Sequence, residues 1–258
     1  MLTSAREIVL YRSLLNALVA RELKVRYKRS VLGVMWTMLN PLLMMVVFTI
    51  VFAHFLRFPI EHFTVYFLSA FVLWNFVAQT TSWSTGCLMG YAPLITKVYV
   101  PKPIFVLATV LGGLVNLLIS LIPLAIIMIV VGHPITTSLA FIPIPIVLAT
   151  LFSLGLSLLL APLCLMFADI VPLYQVVQTA WMYLTPIFYP PEIVPEAYRV
   201  IVHANPMTYF VEAFRAPIYS GNLPAGSVLV GAGLSALLAL VIGTVVFERY
   251  SDRIAYYV

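Results

Sequence analysis

Two stripes of aromatic and hydrogen-bonding side chains are the residues of this sequence whose types and spacing are best suited to bind a ligand. One stripe recurs at intervals of four and three residues, which places its members on one face of a helix: Tyr174, Gln178, Trp181, Thr185 and Phe188. The other stripe has the same spacing and consists of Phe48, Phe52 and Phe55. Sugar rings present apolar C–H faces edged by hydroxyl groups, so aromatic faces alternating with amides and hydroxyls suit a sliding saccharide. The alternative is that both stripes pack against neighbouring helices.

Signatures of catalysis and of nucleotide binding are missing from the sequence. It contains no G-x-x-x-x-G-K-[ST] phosphate loop, no G-x-S-x-G and no H-E-x-x-H. The four histidines and two cysteines lack the spacing of a metal site or a disulfide framework, and Cys87 and Cys164 both fall in apolar stretches. We therefore expect neither an enzymatic activity nor a cofactor or metal in this chain.

The composition determines what kind of elements hold the two stripes. Of the 258 residues, 63% are hydrophobic and 9% are charged, and the mean hydropathy is +1.07. Soluble domains carry roughly 25% charged residues. No charged residue lies between Lys102 and Asp169, or between Arg215 and Glu248. Because about 20 apolar residues span a bilayer as a helix, the sequence predicts an all-α integral membrane protein.

Six transmembrane helices are predicted within a single transmembrane domain over residues 1–258. They cover residues 31–54, 64–88, 103–131, 140–166, 170–189 and 226–247. With this arrangement, eleven of the fourteen Lys and Arg residues fall on one side, seven of them in the first 30 residues. The positive-inside rule then places both termini in the cytoplasm. Anionic lipid head groups, and not nucleic acid, are the partner expected for this basic edge.

Three further segments are expected to have their own structure. Residues 4–29 predict an amphipathic helix at the membrane interface, with Tyr11, Leu15, Leu18 and Glu22 on one face. Residues 190–225 are apolar but broken by prolines, which favours short re-entrant helices on the outer side before the last span. Residues 91–101 form a short apolar segment that either docks to a partner or folds back onto the interface.

Small residues recur at every fourth position in the last predicted span. Gly231, Ser235, Ala239 and Gly243 lie on one helix face, where small side chains allow close approach of another helix. We expect these residues to serve helix packing.

Short motifs follow one another in a characteristic order along nearly the whole chain. After the basic N-terminus come residues 27–33 (YKRSVLG), Trp36, residues 40–41 (NP), 167–170 (FADI), 185–190 (TPIFYP), 205–206 (NP) and 212–215 (EAFR). In combination they resemble the permease subunits of type-2 ABC polysaccharide exporters, a group that secretes O-antigen, capsular polysaccharide and teichoic acid.

The resemblance implies an ATP-driven exporter that moves a lipid-linked polysaccharide across the cytoplasmic (inner) membrane. Two copies of this chain would pair with two ABC ATPase subunits, which bind the ATP and Mg. Residues 4–29 would be the interface helix, and residues 91–100 the coupling helix, with Leu94, Lys97, Val98 and Tyr99 facing the ATPase. The first and fifth spans would line the glycan conduit. The alternatives are a type-2 permease for a drug or a simple lipid, and a membrane-embedded transferase.

Overall fold

Every regular element in the described part of the chain is helical. The computed structural model describes residues 11–26, 28, 30–55, 60–97 and 100–257, and the side chains of residues 53–55 and 255 lie outside this description. The helices are α1 (Arg12–Arg26), α2 (Trp36–Phe48), α3 (Phe63–Gly90), α4 (Ala92–Ile95), α5 (Pro103–Val131), α6 (Pro143–Met166), α7 (Ile170–Leu184), α8 (Glu196–Ala204), α9 (Pro206–Arg215) and α10 (Gly226–Tyr257). The predicted all-α class is confirmed.

Five helical segments are long and apolar enough to cross a membrane. They are Gly33–Phe52, Phe63–Gly90, Pro103–Val131, Thr137–Met166 and Gly226–Ile254. The first joins a 3₁₀ turn to α2 and the start of a π-helical stretch, Thr49–Phe55. These five match the first four and the last of the six predicted spans, so the chain is an integral membrane protein.

The predicted span over residues 170–189 is shorter as a helix than the sequence pattern suggested. Helix α7 has 15 residues and ends at Leu184, after which Thr185 adopts an extended conformation. Pro186 accounts for this end, because a proline disfavours helical geometry in the residue before it. At 1.5 Å per residue α7 is about 22 Å long, against about 30 Å for the hydrocarbon core. A sixth crossing therefore stays a prediction.

Helix α3 is the central helix of the bundle. Its apolar window is 78% buried, although its mean hydropathy of 1.3 is lower than that of the other four long segments. Several of its hydroxyl groups bond within the helix, as in the 2.7 Å hydrogen bond from Thr81 Oγ1 to the Val77 carbonyl. Ser84 Oγ also bonds Ser157 Oγ of α6 at 2.8 Å. The polar residues of α3 are thus shielded from lipid by neighbouring helices.

The segment between α7 and α10 contains two short helices with different surroundings. Most of α8 is exposed and only Val202 is buried, whereas seven of the ten residues of α9 are buried. The side chain of Asn205 caps α9 by accepting a 3.0 Å hydrogen bond from the Met207 amide. Helix α9 packs against α3 and α10. The re-entrant character predicted for residues 190–225 stays a prediction.

Candidate functional site

The phenylalanine stripe of the first span faces the interior of the chain. The ring centroids of Phe48 and Phe188 are 4.5 Å apart, and Phe52 stacks on Phe188 at 5.6 Å. Phe48 also lies 5.0 Å from Phe67 of α3. Phe188 is only 1% exposed. These residues form one aromatic cluster that joins the first span and the segment after α7 to α3, and the side chain of Phe55 lies outside the described part.

The mixed stripe of α7 also points inward, and its polar groups find partners in the chain. Tyr174 Oη donates to Thr81 Oγ1 at 2.6 Å, and Gln178 Nε2 donates to the Ala78 carbonyl at 2.7 Å. Trp181 Nε1 donates to Asn205 Oδ1 at 2.7 Å. Thr185 Oγ1, which is buried, donates to the Trp181 carbonyl at 2.8 Å.

In this structure the two stripes therefore pack helices together, which was the alternative interpretation of their spacing. A role in a glycan conduit stays a prediction for Phe48, Phe52, Phe55 and the α7 stripe. The opposite face of α7 is exposed and mainly apolar; it presents Leu173, Val176, Val177, Ala180, Tyr183 and Leu184, with Gln175 and Thr179 at its edge. This face is the one that could border a second copy, lipid or substrate.

Helix α1 lies within the segment predicted to be an interface helix, and its apolar face is covered by the protein itself. Leu18 is 3% exposed and belongs to a cluster with Tyr91, Ile104 and Phe105. Tyr11, Leu14, Leu15 and Val19 pack against the same cluster, while Ser13, Ala20 and Lys24 are exposed. The amphipathic pattern thus attaches α1 to α5 and to the end of α3.

Hydrogen bonds and an ion pair add to the apolar contacts that attach α1. The Tyr91 hydroxyl donates a 2.5 Å hydrogen bond to Glu22 Oε1, and Arg21 Nη2 donates to the Gly90 carbonyl at 3.2 Å. Burial raises the pKa of Tyr91, and the hydrogen bond to Glu22 raises it further, so the hydroxyl keeps its proton. Arg26 pairs with Glu22 at 3.4 Å, and its guanidinium lies over the Trp83 ring. Glu22 and Tyr91 therefore fix α1 to the α3–α4 corner.

The segment predicted to be a coupling helix begins as the four-residue helix α4. Leu94 is half-buried against the Leu18 cluster, and Lys97 is exposed. Pro93 and Thr96 are exposed as well. Val98 and Tyr99 lie outside the described residues. The exposed surface beside α1 is therefore formed by Pro93, Thr96 and Lys97, and contact with an ATPase stays a prediction for Leu94, Lys97, Val98 and Tyr99.

The small residues of α10 lie at a close helix–helix contact. A Cβ atom added to Gly243 would collide with the backbone of Gly155 in α6, and one added to Gly155 would collide with the backbone of Ala239. One added to Gly231 would lie 2.6 Å from the Tyr209 ring of α9. Ser235, on the same face, is half-buried. Gly155 is the partner that the pattern in α10 alone did not identify.

Two polar cavities are features that the motif analysis did not identify. The first, which we call the amide cavity, has a volume of about 300 Å³ between α2, α3 and α5 and is lined by Asn40, Asn75, Gln79 and Asn116 among others. The sequence signal for this cavity was the presence of Asn and Gln residues inside predicted spans. Polar groups at membrane depth cost free energy unless they have hydrogen-bond partners. These carboxamides form a site only because the fold brings α2, α3 and α5 together.

The second cavity, about 570 Å³, lies beside α9 and contains Arg215, Glu212 and Glu192 in its lining. Arg215 is 8% exposed; its Nη1 donates to Tyr66 Oη at 2.9 Å and its Nη2 to the Ile187 carbonyl at 3.1 Å. Burial lowers the pKa of Arg215, and contact with Tyr66 opposes that effect. Arg215 thereby links α9 to α3 and to the segment after α7.

Known proteins are similar in sequence to this chain over most of its length. The sequence model of the ABC-2 type transporter family matches residues 13–219, more than three quarters of the chain. An O-antigen export system permease protein RfbA from Myxococcus xanthus is 27% identical over 257 residues, covering 99% of each chain. A protein of the same name from Klebsiella pneumoniae is 26% identical over 245 residues, covering 94% of this chain and 93% of that one.

Proposed function

The chain belongs to the ABC-2 type transporter family, and from this premise we propose that it is the transmembrane subunit of an ATP-driven polysaccharide exporter. Its substrate is a lipid-linked polysaccharide of the O-antigen or capsule type. The chain itself forms the membrane pathway, and a separate ABC ATPase binds ATP and Mg and supplies the energy.

The observation that carries this proposal is the end-to-end likeness to permeases named for O-antigen export. A likeness over 99% of both chains, with all five long helical segments inside it, supports the same kind of cargo as well as the same fold. The absence of a phosphate loop from the sequence supports a division of labour in which hydrolysis takes place on another subunit.

The face made by α1 and residues 91–97 is the proposed docking site of the ATPase. Glu22 and Tyr91 join the two segments, so a force on one is transmitted to the other. The proposed orientation puts this face and both termini on the cytoplasmic side of the inner membrane, because eleven of the fourteen Lys and Arg residues of the chain fall on that side. Two copies of the chain and two ATPases complete the proposed complex.

Deletion of the gene, with complementation, tests the proposal. We expect the deletion strain to lose its surface polysaccharide and to accumulate the lipid-linked form inside the cell. The plasmid-borne gene should restore the surface polysaccharide, and the tagged permease should co-purify with an ABC ATPase. Unchanged surface polysaccharide combined with new sensitivity to a drug would support the drug-permease alternative instead. Transferase activity in the purified chain would contradict a transport function.

A further inference from the structure

The amide cavity has the position of a binding site that opens from the α1 end of the bundle. Arg26 and Trp83 line it near that end, since Arg26 closes α1 and Trp83 lies seven residues before the last residue of α3. It extends along α5 past Gly113 to Ser120, near the middle of that helix. Its volume of about 300 Å³ is at the lower limit of small-molecule sites, which suits one compact group.

Several hydrogen-bonding groups in its wall lack a partner within the described part of the chain. Gln79 Nε2 donates to Asn75 Oδ1 at 2.8 Å, which leaves the Asn75 amide nitrogen and the Gln79 amide oxygen unpaired there. Thr80 is fully buried, and its Oγ1 has no hydrogen-bond partner among the described residues. Unpaired polar groups at membrane depth cost free energy, so a wall with both donors and acceptors fits a polar occupant.

Aromatic side chains complete the wall and limit the shape of the occupant. Trp36, at the mouth of the cavity, is 46% exposed and offers an open ring face. One face of Trp83 is covered by the Arg26 guanidinium, and Phe76 is buried. The wall therefore offers the occupant both aromatic ring surface and carboxamides.

The charges in the wall favour an uncharged ligand. No carboxylate lines the cavity in the part of the chain described, and its one cationic side chain, Arg26, is already paired with Glu22 at 3.4 Å. Carboxamides bind hydroxyl groups as donors and as acceptors at once. We propose that the amide cavity binds a single neutral sugar ring of the transported glycan, on the loading side of the membrane. This inference rests on the proposed function and goes beyond it by naming a site within one chain.

Site-specific photo-crosslinking in the native host, with the ATPase subunit present, tests the site directly. Gln79 is replaced by p-benzoylphenylalanine, and after irradiation the purified permease is probed for glycan by periodate oxidation and hydrazide labelling. Leu118, half-exposed on the other side of α5, is the matched control position. We expect a glycan adduct at position 79 and none at position 118. No adduct at position 79, or equal adducts at both, would overturn the proposal.

Polar-to-apolar variants provide the second measurement. We expect Asn75→Leu and Gln79→Leu to lower surface polysaccharide at least about fivefold at normal permease abundance. Thr244→Val is the control, because Thr244 lies far along α10 and, among the residues that the structure describes, its hydroxyl bonds the Leu240 and Val241 carbonyls of its own helix at 2.8 Å and 3.0 Å. Normal export by Gln79→Leu, or low abundance without any adduct at position 79, would show that the amides only hold helices together. If the deletion strain keeps its surface polysaccharide, the proposed function itself fails, whatever the adducts show.

Discussion

At the scale of single residues, Asn205 holds the segment after α7 in place. Its side-chain oxygen accepts hydrogen bonds from Trp181 Nε1 and from the Met207 amide, at 2.7 Å and 3.0 Å. Its amide nitrogen donates to Thr185 Oγ1 at 2.9 Å. Since Trp181 also packs edge-on against Trp74 of α3, one residue links α7 and α9 through an indole that touches the central helix.

Substitutions at Trp181 separate packing from substrate contact. Trp181→Phe keeps an aromatic ring and removes one hydrogen bond, so we expect it to lower stability by about 1 kcal/mol. Trp181→Leu leaves a larger void, and we expect a loss of about 3 kcal/mol, near the lower limit for removing a large aromatic side chain. Thermal unfolding of the detergent-purified permease, alongside surface polysaccharide, measures both effects. Poor export by Trp181→Leu at unchanged thermal stability would contradict the packing role and favour the conduit prediction.

At the scale of helices, α6 and α10 approach each other closely through Gly155 and Gly243. A methyl group at either glycine would overlap facing backbone, so the two helices would have to separate. Such contacts hold helices together within a membrane by close packing, since lipid removes the hydrophobic drive for association.

Gly155→Ala tests this contact. We expect it to lower the amount of permease in the membrane strongly, because backbone cannot move aside as a flexible side chain can. Gly233→Ala, in α10, is the matched control: its added methyl meets nothing within 4 Å. That change should be neutral or stabilising, by up to about 1 kcal/mol from helix propensity alone. Immunoblots of membranes measure both variants, and equal amounts of the two would show that the contact is not required.

The attachment of α1 gives a second prediction for helices. Tyr91→Phe removes the hydroxyl that bonds Glu22 and keeps the buried ring. A hydrogen bond to a charged group contributes about 1.5–3 kcal/mol, so local opening of α1 should rise by about 10-fold or more. Hydrogen exchange of residues 12–26 measures this opening, with the exchange of α5 as internal control. Unchanged protection of α1 would mean that the Leu18 cluster alone secures it.

The sequence predicted the long helices well and the orientation of their faces poorly. The predicted third span coincides with α5, because a long charge-free run has few alternative structures in a membrane. Tyr174, Gln178 and Trp181 share a face of α7, as their spacing predicted, whereas Thr185 and Phe188 lie beyond the end of this helix. The sequence did not indicate that this face packs against α3. In a membrane both the lipid-facing and the protein-facing sides of a helix are apolar, so periodicity alone does not tell them apart. The amide cavity needs three helices in contact, which no local pattern encodes.

At the scale of the whole molecule, the first span is the least buried of the five long apolar segments, and α7 has no fully buried residue. The apolar window of the first span is only 11% buried, and each residue of α7 keeps some of its surface exposed. Residues on these outward faces include Val47, at 52% exposed, and Val176, at 69%. We propose that these faces meet between two copies of the chain.

Disulfide cross-linking tests this arrangement. In a variant with Cys87 and Cys164 replaced by serine, we expect cysteines at Val47 and Val176 to link two copies in native membranes under mild oxidation. A cysteine at Met45 is the control, since Met45 lies on the inner face of α2 and is 8% exposed. The absence of cross-linked dimers with cysteines at Val47 and Val176 would contradict the proposed dimer. Cross-linking through Met45 but not Val47 would place the interface on another face.

The early end of α7 at Pro186 has a consequence for the bilayer around the protein. A helix of about 22 Å does not match a hydrocarbon layer of about 30 Å. Lipids respond to such hydrophobic mismatch by shortening their acyl-chain layer locally, at a cost of fractions of a kcal/mol per Å. Lipids beside α7, at the rim of the proposed contact between two copies, would thus form a thinner layer, which shortens the distance between the two aqueous phases there. A polar chain that crosses beside α7 would travel less far through hydrocarbon than one that crosses beside the five longer segments.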